Sequence, residues 1–491
     1  MVKLKIINND VEDIIKVKYG ENLLDVIKSK GYLINASCGG KGTCKKCLVD
    51  VNGKLELACQ FNIFNDITIK MILAKPQVLT SSTTKLQFEK INNIEENKFG
   101  LAIDLGTTTI ASYLIDLKTG EEIDSLSELN AQITYGSDVI TRIEQCNLGN
   151  LQALHQIVIT QINKMINKFK IKNNISTIKL LSLAGNPTMT HIFIGVDPSS
   201  IGVAPYQPVF VESQKFLGTK LNLDVEEVIV LPSISGYLGG DIIGGMLTSG
   251  MLEDSSNSLL IDIGTNGEII LKIKDKLYGC STAAGPAFEG AKIEYGMGAV
   301  SGAISKVKFE NNELLLTTID GSPKGICGSG LIDLVAILVK ENIIDETGAF
   351  NYQSKSNLSN YLEENRFKFS NLSLTQKDIR EIQLAKSAIS AGIMTLCKIA
   401  KIDINEINKV YLAGGFGFYL DQSNAIEIGL IPKEFINKIT IIGNSSGLGA
   451  KICMLNQQYL HFGEKIAKKV EVIDLSTLSF FMDYFIEKMT F

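Results

Sequence analysis

The chain has 491 residues, more than one hydrophobic core usually holds, so two or three domains are expected. Apolar residues make up 45% of it, ample for globular cores, and a net charge of −5 without any long Lys/Arg run argues against nucleic acid as a partner. No run of 18 apolar residues occurs, and the first ten residues enter a strand pattern directly, so neither a membrane span nor a secretory leader is expected and the reading is a soluble cytoplasmic protein.

Lys3 to Ile7 and Asp13 to Lys18 read as two short strands around a polar turn, and Asn22 to Lys30 carries Leu23, Leu24, Val26 and Ile27 at helical spacing. Cys38, Cys44, Cys47 and Cys59 follow with the spacing C-x5-C-x2-C-x11-C. Three thiolates on one glycine-rich loop can wrap a small cluster, because Gly39, Gly40 and Gly42 can take positive φ and turn backbone N–H groups toward sulfur. The fourth comes back from a following hairpin, and the set reads as a [2Fe-2S] site. Structural zinc is the competing reading, but it usually takes two close Cys pairs or a Cys/His mixture; here there is one close pair and no nearby His. Val49 and Val51, then Ile67, Ile69 and Met71, supply further strands. This order of strands, helix and Cys loop over residues 1–75 resembles the β-grasp [2Fe-2S] ferredoxins. The plant-type loop, C-x4-C-x2-C, is one residue shorter. Five further cysteines, Cys146, Cys280, Cys327, Cys397 and Cys453, are scattered singly and do not read as disulfides.

Residues 76–98 are polar, with Ser81 to Thr84 and Glu95 to Lys98 flanking a few apolar positions, and read as a linker. Beyond it the chain repeats itself. Gly100 to Asp116 is strand, tight turn, strand around Asp104, Gly106, Thr107, Thr108 and Thr109; 158 residues after Asp104 the pattern returns around Asp262, Gly264, Thr265, Asn266, Gly267 and Glu268. Two copies predict two similar half-domains facing each other, 99–255 and 256–491. In each, glycine lets a hairpin backbone approach a phosphate, N–H groups and Thr hydroxyls can donate to phosphate oxygens, and the aspartate can hold Mg²⁺ through water.

Lys409 to Gly417 is an apolar strand running into Gly414, Gly415 and Gly417, where the backbone could lie against an adenosine; Ile441 to Gly449 runs into a helix. Gly328 and Gly330 open another apolar helix whose N-terminus could face phosphate or ribose. Asp241, at the start of a glycine-rich helix, either caps it or orients an attacking water, with Glu268 as the second candidate for that work. Cys327, His155 and His191 read as packed side chains. No P-loop or intact dinucleotide fingerprint occurs.

The ordered motifs resemble the actin, Hsp70 and sugar-kinase ATPase superfamily, which implies a duplicated RNase H-like fold. The expected architecture is therefore a multidomain α+β and α/β chain, a β-grasp ferredoxin followed by this ATPase. The fusion resembles the reductive activators of corrinoid-dependent methyltransferase systems. That resemblance implies an ATP-hydrolysing iron-sulfur reductase that passes an electron from the cluster to Co(II) and restores Co(I) for methyl transfer. ATP and Mg²⁺ are the further cofactors implied. The partners implied are a corrinoid protein, either a corrinoid iron-sulfur protein or a methyltransferase corrinoid subunit, and an upstream low-potential electron donor; a homodimer is compatible. Longer relatives can carry a further domain where this chain has only the linker. Three alternatives compete: an ATP-dependent donor to a non-corrinoid enzyme, a small-molecule kinase, which leaves the ferredoxin unexplained, and a chaperone, which needs a peptide-binding domain that the 37 residues after Met454 cannot supply.

Overall fold

A computed structural model describes residues 1–8, 11–36, 38–71, 98–414 and 420–491. Apart from Lys98, the predicted linker lies outside the described residues. The N-terminal sheet has five strands in the order Val11–Val17, Val2–Asn8, Ile67–Met71, Leu48–Val51 and Lys54–Leu57, with Val2–Asn8 parallel to Ile67–Met71. Alternation points Leu4 and Ile6 inward, where they meet Val49, Ile69 and the apolar face of the helix Leu23–Ser29. That helix starts where it does because the Asn22 side chain accepts from the Leu24 N–H at 3.0 Å. One helix laid across a mixed sheet is the β-grasp.

The two halves of the remaining chain repeat one sheet. In the first, six strands run Glu122–Leu129, Thr109–Asp116, Phe99–Leu105, Leu180–Gly185, Glu227–Val230 and Gln214–Leu217. In the second, Lys276–Thr282, Gly267–Ile273, Ser258–Ile263, Lys409–Ala413 and Ile439–Gly443 take the places of the first five, and Val470–Val472 extends the opposite edge. An antiparallel meander of three strands followed by two parallel ones is the RNase H-like arrangement, here present twice.

A helix follows the fifth strand of each half, Gly240–Thr248 in one and Ser445–Leu455 in the other. The two cross with backbones in contact: a Cβ on Gly449 would lie 2.2 Å from the Gly244 Cα. Ile242, Ile243, Met246, Ala450 and Cys453 bury the crossing in a core shared by both sheets. After Met454 the chain forms the helix Gln457–Ala467, the edge strand and the helix Ser479–Glu487, which packs Phe481 and Phe485 onto the second half. Buried Lys386 donates to the Lys488 carbonyl at 2.8 Å and fastens this tail down.

Because the crossing has no room for a side chain, Gly449→Ala is expected to cost about 1–3 kcal/mol through overpacking. Denaturant unfolding measures this. An unchanged midpoint would mean that the helices can separate freely.

Candidate nucleotide cleft and iron-sulfur site

The two hairpin turns face each other across a cavity of about 250 Å³. Gly106 closes the first turn by donating its N–H to the Thr109 carbonyl at 3.0 Å, and a Cβ there would stand 2.7 Å from the same oxygen, so only glycine makes this turn. Gly264 donates to the Asn266 carbonyl at 2.9 Å in the second. Gly414, at φ 90°, comes so near that a Cβ would lie 2.6 Å from Asp262 Oδ1.

Two asparagine caps add polar groups to the cleft. Asn186 caps the helix Pro187–Ile194 with its carbonyl and donates its amide to Thr107 Oγ1 at 3.0 Å. Asn444 accepts from the Gly447 N–H and gives its own amide to Asp104 Oδ2 at 3.0 Å, across the half-domain boundary. Ser446 donates to the other oxygen of Asp104 at 2.8 Å. Glu289 completes the ring, accepting from Thr108 Oγ1 and Thr265 Oγ1, each at 2.8 Å.

The electrostatics follow from enclosing five carboxylates, Asp104, Asp241, Asp262, Glu268 and Glu289, around one cavity. No lysine or arginine is among the described residues that line it. Burial pushes Asp104 up to about 6, against the pull of Ser446 and Asn444. Burial with the Asp104 charge takes Asp241 to about 6, and burial with Asp241, Asp104 and Glu289 takes Asp262 to about 8. Glu268 is also raised, by burial and then by Asp241 and Asp262. Such a cleft suits a cation carrying an anionic ligand.

Asp104, Gly106, Thr107, Thr108, Thr109, Asp241, Asp262, Gly264, Thr265, Asn266, Glu268, Gly328 and Gly414 all line the cavity. Gly267 and Gly330 do not; a Cβ on Gly267 would meet Ile389 and Thr282 at 2.7 Å, and one on Gly330 the Ile304 carbonyl at 2.4 Å, so both serve close packing. Gly415 and Gly417 lie outside the described residues. Asp241 makes no side-chain cap to its helix; its Oδ1 accepts from the next N–H, that of Ile242, at 2.9 Å. His191 is packed as expected, stacked on Phe210 and bonded to the Pro187 carbonyl and the Val209 N–H. Glu289 was missed, and so were the amides of Asn186 and Asn444. Only the asparagine caps left a signal, an Asn directly after an apolar strand.

In the first domain the glycines of the Cys loop take positive φ, 65° at Gly39, 93° at Gly40 and 77° at Gly42. Cys59 returns on the short turn Ala58–Gln60 after the hairpin. The thiols sit as two neighbouring pairs, Cys38 with Cys44 and Cys47 with Cys59, in which Cys44 shifts the titration of Cys38 and Cys59 that of Cys47. Burial raises the Cys47 thiol to about 11; at Cys38 burial is outweighed by hydrogen bonds from Cys44 and Thr43, and the thiol falls to about 6. Two pairs of thiols on one loop and turn fit a two-iron cluster held by four cysteines. Among the described residues no three His, Cys, Asp or Glu side chains converge as around a single ion. No helix among them is long and apolar enough to cross a membrane.

A ferredoxin domain followed by a duplicated nucleotide-binding fold defines an iron-sulfur ATPase. Three family descriptions match in order: a 2Fe-2S iron-sulfur cluster binding domain over residues 6–63, the RACo middle region over 99–254, and the C-terminal ASKHA domain of RACo over 256–491. The corrinoid activation enzyme RamQ of Eubacterium limosum is 30% identical, with 95% of each chain covered. The Co(II) methylated amine-specific corrinoid protein reductase of Methanosarcina barkeri is 28% identical over 76% of this chain and 73% of its own. A solved structure of a reductive activator for a corrinoid, iron-sulfur protein superposes with a TM-score of 0.75 at 28% identity, covering 99% of this chain and 98% of that one. The chain belongs to the RACo family of corrinoid activators. Its alignment to RamQ spans 570 positions, more than the 491 residues here, so that relative carries segments this chain lacks.

The raised carboxyls give a pH dependence. Asp104 and Asp241 at about 6 and Asp262 at about 8 hold protons that the unfolded chain, at 3.8, releases earlier. The stability they contribute is full below about pH 4 and is lost as pH rises through about 6 and 8. Because a divalent cation held by these carboxylates would favour their ionised forms, added Mg²⁺ is expected to raise Tm more at about pH 8 than at about pH 6, and Asp262→Asn to reduce that difference. Equal Mg²⁺ effects at both pH values in the parent chain would contradict it.

Proposed function

We propose that this protein is an ATP-dependent reductive activator that delivers one electron to the Co(II) of a corrinoid protein and leaves it as Co(I), ready for methyl transfer. The observation that carries the reading is the joining, in one chain, of a paired-thiol loop to a two-lobed acidic cleft of the activator family. The cluster supplies a one-electron carrier, and ATP supplies the free energy. Each ~59 mV of an uphill one-electron step costs a factor of ten in equilibrium. Plant-type clusters near about −400 mV are weak donors to a lower couple, so nucleotide must shift an equilibrium.

Within the chain, Cys38, Cys44, Cys47 and Cys59 hold the cluster, which an upstream low-potential donor refills. Thr107, Thr108, Thr109, Thr265 and Asn266 present donors to phosphate oxygens. Asp104 and Asp262 position Mg²⁺, which commonly keeps several waters and takes only one or two carboxylates beside its phosphates. Asp241 orients the attacking water, with Glu268 as the second candidate for that work. Gly328, at the N-terminus of its helix, and Gly414 bring backbone close to the nucleotide. Closing the halves about the glycine crossing couples this cleft to the bound partner, and nucleotide can do so only by binding the two states with different affinity.

The two chemistries should separate. Cys44→Ser is expected to lose the visible cluster spectrum and electron delivery to Co(II) while nucleotide binding survives. Asp104→Ala or Asp262→Ala should slow hydrolysis at least about tenfold, with the cluster intact. Parental hydrolysis in both aspartate variants would overturn the assignment of the cleft.

A further inference from the structure

The cluster loop rests on the nucleotide domain through side chains that neither cluster nor nucleotide binding explains. Lys46, next to Cys47, donates to the Gly290 carbonyl at 2.7 Å. Gly290 follows Glu289, whose carboxylate holds one hydroxyl from each phosphate turn, Thr108 and Thr265. The segment is tightly packed: Gly290 sits at φ 79°, and a Cβ there would stand 2.3 Å from the Met297 nitrogen. On the other flank Gly39 packs against Thr141 and the Tyr135 carbonyl, and Lys41 pairs with Glu144 at 2.9 Å. The helix Val139–Gln145 that carries Thr141 and Glu144 also carries Arg142, fully buried, whose guanidinium donates to the Thr107 carbonyl at 2.5 Å. Both flanks of the cluster loop thus end on a phosphate turn.

Glu289 accepts, with one carboxylate oxygen, from both hydroxyls that the proposed function assigns to phosphate. Two anions cannot share those donors without strong repulsion in an enclosed site. We propose that Glu289 is an internal stand-in for phosphate, and that nucleotide, by displacing it, moves Gly290, frees Lys46 and undocks the ferredoxin. In the docked state the cluster loop faces the ATPase halves and is withheld from an acceptor; the undocked state presents it. The inference rests on the activator reading for its purpose but is tested without any corrinoid protein. Linkage fixes its sign: whatever factor nucleotide applies to undocking, undocking applies to nucleotide affinity.

The test uses the full-length anaerobic holoprotein, a non-hydrolysable ATP analogue with Mg²⁺, small-angle X-ray scattering and titration calorimetry. The analogue should increase the radius of gyration of the native chain. Lys46→Met, with its cluster spectrum unchanged, should already be expanded and should bind the analogue more tightly, on the order of fivefold. Glu289→Gln, which removes the competing charge, should also tighten binding, and its distance from the cysteines in sequence leaves the cluster spectrum as a folding control. A native chain whose radius stays constant while the analogue binds overturns the relay alone. Affinity unchanged in both variants overturns it as well. No heat on titration overturns the nucleotide reading of the cleft and the relay together.

Discussion

The arrangement of the whole molecule depends on two helices that touch backbone to backbone. Gly244 and Gly449 bring Gly240–Thr248 and Ser445–Leu455 so close that no side chain fits between them. Each helix leaves the end of a parallel strand, so their crossing sets the distance between the sheets and turns the two hairpins toward one cavity. Asn444 and Ser446, at the start of one helix, then reach Asp104 in the opposite half. The crossing and the cleft are thus parts of one construction.

What that construction produces is a concentration of negative charge. Five carboxylates line a cavity into which no described lysine or arginine projects, and burial raises every one of them. Arg142 comes nearest in role, yet it spends its donors on Gly136, Gln132, Met189 and Thr107 and lies behind the turn, beyond the cavity. Folding crowds these carboxyls without a counter-charge, so that they keep their protons longer and their ionisation costs stability, a cost that a cation with a polyphosphate can offset. Closure of the halves on such a ligand is a transition that binding energy can drive, and its affinity difference between open and closed states bounds the work available for electron delivery.

The local signals carried most of the architecture. Cysteine spacing with its glycines, and each Asp-x-Gly-Thr hairpin, depend on neighbours a few residues apart, and the structure puts Cys38 to Cys59, Asp104 and Asp262 into loops and strand ends as that spacing requires. Glu289 could not be found that way, because it meets Thr108 across 181 residues of chain. Glycines near the motifs were ambiguous for a physical reason. Gly106 and Gly414 serve the cleft, whereas Gly267 and Gly330 make the same close approach to Ile389 and the Ile304 carbonyl. A missing Cβ admits a phosphate and a protein neighbour equally well, and only the fold distinguishes them.

The central claim is that ATP acts by changing which corrinoid state the protein holds and feeds. The most direct measurement is anaerobic binding and ATP turnover with one corrinoid protein presented first as Co(II) and then as Co(I). The account predicts slow basal hydrolysis, stimulation and complex formation with Co(II), and release of Co(I) once its absorbance appears. Equal binding and equal turnover with both forms, or response to neither, would contradict it.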